Sequence, residues 1–264
     1  MRDYGRIVVK VGTSTLTYDN GKPNLRRMDR LCRVLTDLKN AGKEVVLVSS
    51  GAIAVGLNHL GLTGKSCDTP GKQAAAAVGQ CDLMYTYDKL FSEYGQSVAQ
   101  MLLTRDVVES GERRENCVNT FKALMKMDII PVVNENDSVS VEEIVFGDND
   151  KLSAIVAGLI GAELLIILTD IEGLFDGNPR ENPDARLVHT VREITPEIRD
   201  MAGQRGSTRG TGGMITKLEA AEYAMNAGVD AYIIDGGDPK RIYDVIDGRS
   251  IGTHFIAKTD RGVQ

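Results

Sequence analysis

The sequence predicts an α/β fold around a largely parallel sheet, and three observations carry that reading. Short β-branched runs alternate with segments of helical periodicity, the pattern of successive βαβ units. Most of these runs are apolar throughout, as strands covered by helices on both faces must be. The 264 residues are enough for one large α/β unit whose core needs no disulfide or metal to hold it.

In chain order the candidate strands are Ile7 to Val11, Glu44 to Ser49, Ser97 to Thr104, Ile129 to Asn134, Leu164 to Thr169 and Ala231 to Asp235. Between the first two, Arg26 to Asn40 sets Leu31, Leu35 and Leu38 at helical spacing and stops before Gly42, a glycine suited to the left-handed residue after a helix. Asn116 to Met127 and Lys217 to Ala227 repeat the pattern, the second ending at Gly228. The run QAAAAVGQ, Gln73 to Gln80, reads as helix whose small residues serve close packing. Asp137 to Gly147 alternates weakly, as an edge hairpin or flap would, and Gly173 to Arg186 is a loop-rich excursion. No linker, repeat or low-complexity tract interrupts the chain. Ligands are therefore expected at the C-terminal ends of the parallel strands of one continuous unit.

Composition narrows the function classes. Thirty-one Lys and Arg against 37 Asp and Glu give a formal net charge of −6, which argues against a nucleic-acid-binding surface. Cys32, Cys67, Cys81 and Cys117 are widely spaced, with no C-x-x-C and no signal peptide ahead of them, so reduced thiols and a cytoplasmic location are expected. The most apolar stretch, Ala154 to Leu168, is interrupted by Glu163 and falls short of the roughly 20 apolar residues that span a bilayer. His59, His189 and His254 sit at no metal-ligand spacing with Cys or Glu, so a zinc site is not expected.

The most informative segment is RGTGGMITKLEAAEYAMNAG, Arg209 to Gly228, in which a glycine-rich turn leads into a helix with Lys217 in its first turn. Glycines let backbone approach phosphate oxygens, N–H groups at a helix N-terminus point at them, and the lysine adds charge. Arg205 and Arg209 make the loop locally basic. The plainer reading is a surface loop before an ordinary helix. Two other glycine patterns fail: Gly64-Lys65-Ser66 lacks the first glycine of a phosphate-binding loop, where His59 stands, and Gly210 and Gly212 are followed by Ile215 where a dinucleotide fingerprint needs glycine.

Lys10 lies near the end of an apolar strand in RIVVKVGTSTLT and needs a partner if buried, which a phosphate at the strand's end could supply. The alternative is a solvated edge lysine. After another strand, NENDSV and FGDNDKLSA gather Asn134, Asp137, Asp148, Asn149 and Asp150. Carboxylates this close remain ionised only beside cations, whereas Asx turns and a helix cap explain either Asp148 or Asp150 but less easily the whole set. Ser49, Ser50 and Gly51 mark a strand-to-helix junction suited to a carboxylate, and Ser50 lacks the G-x-S-x-G setting of a nucleophile. Thr169 and Asp170 end a strand where a nucleotide could sit.

Together VKVGTSTLT, SSGAIAVG, QAAAAVGQ, NENDSV, FGDNDKLSA, LTDIEGLF and GTGGMITK resemble the amino acid kinase family, in unbroken order from Arg6 to about Ala257. The glycine loop recurs in carbamate kinase, aspartokinase, acetylglutamate kinase and uridylate kinase, whereas SSGAIAVG with NENDSV and FGDND is similar to the glutamate 5-kinase branch. The resemblance implies a three-layer αβα sandwich with a mainly parallel central sheet. It also implies transfer of the γ-phosphate of ATP to the γ-carboxylate of L-glutamate, the first step of proline biosynthesis, with Mg²⁺ held mainly by the nucleotide phosphates.

Position by position, the resemblance sets Lys10 and Lys217 beside the transferred phosphoryl group with Asp150 between them. It gives Ser50, Asp137 and Asn149, with Asn134 close by, to glutamate. Lys10, Thr169, Asp170 and the run Thr211, Gly212, Gly213, Met214, Ile215, Thr216 and Lys217 go to ATP. It further implies L-proline as a feedback inhibitor, a homo-oligomer that is most simply a dimer, and hand-off of the acyl phosphate to glutamyl 5-phosphate reductase. Many relatives carry a C-terminal PUA-type domain; residues 1–264 are expected to be the catalytic domain alone. Where the family commonly has Tyr-Thr after the Gly-Leu of the nucleotide-side hairpin, this chain has Phe175 and Asp176. A kinase of the same fold acting on another carboxylate or on carbamate, and a nucleotide sensor without turnover, are the alternatives. Two lysines with Asp150 favour an enzyme, because a sensor needs only the glycine loop.

Overall fold

The structure is a computed structural model that describes residues 3–104, 111–140, 149–179, 182–203 and 213–258. Its strands are β1 (Arg6–Val11), β2 (Glu44–Ser49), β3 (Val98–Leu103), β4 (Ile130–Glu135), β5 (Leu164–Thr169), β6 (Thr190–Val191), β7 (Asp230–Asp235) and β8 (Thr253–Phe255). They form one sheet in the order β3-β4-β2-β1-β5-β7-β8-β6. All the pairings are parallel except β7 with β8. The six strands expected from sequence are β1 to β5 and β7, each within a residue of its expected bounds. β6 and β8 were not expected.

The helices are α1 (Thr13–Leu16), α2 (Leu25–Asn40), α3 (Ala52–His59), α4 (Thr69–Ser92), α5 (Gly111–Lys126), α6 (Asp150–Ile160), α7 (Pro196–Gly203), α8 (Met214–Asn226) and α9 (Arg241–Ile246). Side-chain alternation along β1 explains why helices cover both sides of the sheet. Ile7, Val9 and Val11 join a core with Leu31 and Leu35 of α2, Tyr87 and Phe91 of α4 and Ile242 of α9. Val8 joins the opposite core with Phe121 of α5, Val156 of α6 and Leu218 of α8. Successive strand residues point to opposite faces, so each apolar run of β1 feeds two cores at once. The result is the expected three-layer sandwich.

α2 and α8 stop where the sequence says they should, at Gly42 (φ 85°) and Gly228 (φ 77°), in a left-handed conformation that glycine adopts at little cost. α4 extends far beyond the expected Gln73 to Gln80. Its small residues serve contact with α3, as expected: a Cβ on Gly79 would lie 1.9 Å from the Ala52 carbonyl oxygen, and one on Gly56 would lie 1.8 Å from that of Ala75. Backbone this close leaves no room for a side chain.

The chain leaves β1 toward β2 on one side and later returns as β5 on the other. The loops after β1 and β5 thus diverge at the C-terminal edge of the sheet, the crevice where open parallel sheets bind ligands. Among the described residues no helix is long and apolar enough to cross a membrane.

Candidate active site

Alternation along β1 also decides where Lys10 points. It lies two residues beyond Val8, on the face covered by α6 and α8, and its neighbours in register are Val48 of β2 and Ile167 of β5. Lys10 is therefore on a central strand and buried, and it is no solvated edge lysine. Asp150 opens α6 and Lys217 lies in the first turn of α8. The three side chains meet: Lys10 Nζ is 2.5 Å from Asp150 Oδ1, and Lys217 Nζ is 2.8 Å from Asp150 Oδ2. Relative exposures are 4% for Lys10, 0% for Asp150 and 7% for Lys217.

Two ammonium groups thus share one buried carboxylate. Held side by side by that carboxylate, the ammonium groups suit an arriving anion. The amino-terminal ends of α6 and α8 add positive ends of helix dipoles to the same place. Gly12, after β1, stands beside it, since a Cβ there would be 3.8 Å from Lys10 Nζ.

The second half of the site is a set of buried side-chain amides. Asn149 sits at the N-cap position of α6 but makes no capping bond. Its Nδ2 reaches across to the Ser49 carbonyl oxygen at 2.8 Å, to Asn134 Oδ1 at 2.7 Å and to Ser50 Oγ at 3.2 Å. That leaves Asn149 Oδ1 fully buried with no hydrogen-bond partner among the described residues. Ser50 is buried after β2, and Gly51 beside it takes φ 101° to turn the chain into α3. Asp137 is buried and lines a cavity of about 210 Å³ together with Ala52, Gln80, Gln100 and Asn136. Ser49 faces the other way, 2.9 Å from the Tyr87 hydroxyl, and burial pushes the Tyr87 phenol up so that it stays neutral.

Thr169 ends β5 and its hydroxyl donates to Asp170 Oδ1 at 3.2 Å. Asp170 lies with Thr13 and Ser14 on the wall of a larger cavity of about 990 Å³. Gly213 is the N-cap of α8, and among the described residues no side chain caps that helix. Met214 is buried in the core and Ile215 is 48% exposed. Thr216 Oγ1 donates to the Gly213 carbonyl at 2.8 Å and lies 3.5 Å from Asp150 Oδ2. Thr211 and Gly212 lie outside the described residues, as do Asp148, Arg205, Arg209 and most of the expected flap.

The sequence-derived residues that are described gather at one edge of the sheet. Gln80 was missed. Its Oε1 accepts from Asn134 Nδ2 at 2.8 Å, and its only sequence signal was a polar residue closing an alanine run. Gly64-Lys65-Ser66 is a turn following α3, with Lys65 N–H donating to the Leu62 carbonyl.

Comparison with known proteins gives the chain's family. The sequence profile of the amino acid kinase family matches residues 5–235. A glutamate 5-kinase of Clostridium perfringens (strain 13 / Type A) is 54% identical over 262 residues, covering 98% of this chain and 97% of the relative. A glutamate 5-kinase of Listeria monocytogenes serovar 1/2a is 51% identical over 264 residues, covering 98% and 96%. Among solved structures, carbamate kinase from Giardia lamblia bound to AMP-PNP superposes with a TM-score of 0.68 at 16% identity over 96% of this chain and 99% of that one, a likeness of fold. With a profile matched across most of its length and relatives at least half identical along nearly all of it, the chain belongs to the amino acid kinase family.

Proposed function

We infer that this protein is a glutamate 5-kinase, transferring the γ-phosphoryl group of ATP to the γ-carboxylate of L-glutamate to give L-glutamyl 5-phosphate, the first step of proline biosynthesis. The observation that carries the reading is the buried Lys10–Asp150–Lys217 triad, taken with relatives of that name at 54% and 51% identity.

The chemistry follows from charge. A carboxylate is ionised at neutral pH, so an oxygen of the glutamate γ-carboxylate attacks the γ-phosphorus without a base, and the bond to the departing ADP oxygen breaks. The obstacle is the approach of two anions. Lys10 and Lys217 offset that repulsion and the charge on the transferring oxygens, while Asp150 holds both ammonium groups in position. Thr169, Asp170 and the backbone from Thr211 to Lys217 hold the nucleotide. Mg²⁺ fits this donor set as a passenger of the nucleotide phosphates, because the Asp150 carboxylate is already engaged by two lysines; it supplies further neutralisation of phosphate charge.

Glutamate takes the pocket formed by Ser50, Asp137 and Asn149. Its α-ammonium needs an anionic or accepting partner once desolvated, and Asp137 with the buried Asn149 Oδ1 provides one. Asn134 serves indirectly, since its amide is committed to Asn149 and Gln80. L-Proline acts as a feedback inhibitor at the glutamate pocket. The acyl phosphate product is labile, which favours hand-off to glutamyl 5-phosphate reductase. The protein works in the cytoplasm as a homo-oligomer, most simply a dimer. The edge strand β3 and the exposed Ala77, Cys81 and Tyr85 of α4 offer a surface for pairing.

Hydroxylamine trapping tests the reaction. Purified protein with ATP, Mg²⁺ and L-glutamate should yield γ-glutamyl hydroxamate in step with ADP. ADP release without hydroxamate, or no glutamate-dependent turnover, would overturn the reading.

A further inference from the structure

The buried amides at the substrate pocket form a chain whose polarity is set by backbone at two points. The Glu135 N–H can only donate, and it lies 2.9 Å from Asn134 Oδ1. Asn134 Nδ2 must then face Gln80, whose Oε1 accepts at 2.8 Å. The Ser49 carbonyl can only accept, so Asn149 presents Nδ2 toward it and toward Asn134 Oδ1. Asn149 Oδ1 is thereby directed elsewhere, buried and without a partner among the described residues.

Gln80 is the outer end of this chain. It rises from α4, is itself buried, and lines the same cavity as Asp137. Beyond it Gln100 Oε1 is 3.4 Å from Gln80 Nε2, at the long end for a hydrogen bond. Neither glutamine lies within reach of the Lys10–Asp150–Lys217 triad by any hydrogen bond described, so the influence of Gln80 runs through the amides.

We propose that Gln80 is a positioning residue for glutamate binding: its side-chain carbonyl anchors the Asn134 amide, which anchors Asn149 so that Asn149 Oδ1 meets the α-ammonium of the substrate. Without that acceptor, Asn134 Nδ2 is left buried and unsatisfied, and the Asn134 side chain loses the contact that holds it in place. A displaced Asn134 Oδ1 holds Asn149 Nδ2 less firmly, and Asn149 Oδ1 loses its fixed position. The inference rests on glutamate being the substrate.

The test uses steady-state kinetics of the whole protein. Gln80→Met keeps the length of the side chain and removes the acceptor. It should raise the KM for glutamate about tenfold, with the KM for ATP unchanged and kcat within about threefold of wild type. Adding Gln80→Met to Asn134→Ala should not raise the glutamate KM further, because the two act in series. Gln80→Ala carries the same expectations should the methionine variant fail to fold. A folded Gln80 variant with an unchanged glutamate KM, an equal rise in the KM for ATP, or an effect that adds in full to that of Asn134→Ala would overturn the proposal. Wild-type protein without glutamate-dependent turnover would instead overturn the functional reading, and this inference with it.

Discussion

The ammonium of Lys10 lies 2.5 Å from Oδ1 of Asp150, and both side chains are buried. A strand residue and a helix-opening residue are joined in this way beneath the point where β1 and β5 diverge, and Lys217 completes the arrangement from α8. Replacing Lys10 or Lys217 by Ala should lower kcat about 10²-fold or more, the loss typical of one preorganised charge-stabilising group. Kinetics alongside circular dichroism decides it. Turnover near wild type in a folded variant would remove that lysine from the chemistry.

Asp150→Asn preserves shape and removes the charge that two lysines share. The expected result is a kcat loss of similar size, through misplaced lysines. An unchanged kcat would leave Asp150 as the opening residue of α6 and nothing more.

Close approach of α3 to α4 predicts a stability effect away from the chemistry. Gly79→Ala sets a methyl group against the Ala52 carbonyl at 1.9 Å, a clash with backbone that only helix separation can relieve. A loss of roughly 2–3 kcal/mol is expected, read as a lower midpoint in denaturant. Wild-type stability would show that the helices can separate at little cost.

Much of this was legible because it depends on local pattern. Apolar runs gave β1 to β5 and β7, and glycines after α2 and α8 marked their ends. β6 and β8 escaped because two and three residues are too few to display a period, and their place in the sheet is decided by partners distant in sequence. Lys10 illustrates the division well. Its presence on an apolar strand raised the question of a partner, but whether that strand was central or at the edge depended on sheet order. Asn149 stood in a polar cluster before a helix, and only the fold turns its amide to Ser49 and Asn134. Gln80 was hidden for the same reason: nothing in an alanine-rich helix says that its last glutamine meets an asparagine of β4.

Proline should raise the apparent KM for glutamate if inhibitor and substrate share the pocket around Asp137 and Asn149. Initial rates at several glutamate concentrations, with and without millimolar L-proline, test this. Inhibition that glutamate fails to relieve would put proline elsewhere, and activity indifferent to proline would mean that this chain lacks the regulation.

The most direct test of the account is substrate choice between L-glutamate and N-acetyl-L-glutamate. A pocket that meets a free α-ammonium with the Asp137 carboxylate and the Asn149 carbonyl loses that charge-assisted contact when the amine is acetylated, and must also admit the acetyl methyl group. Measured as kcat/KM for ATP turnover on each substrate, the account predicts efficient use of L-glutamate, little or none of its N-acetyl derivative, and a large rise in glutamate KM for Asp137→Ala. Comparable kcat/KM for the two substrates would contradict it.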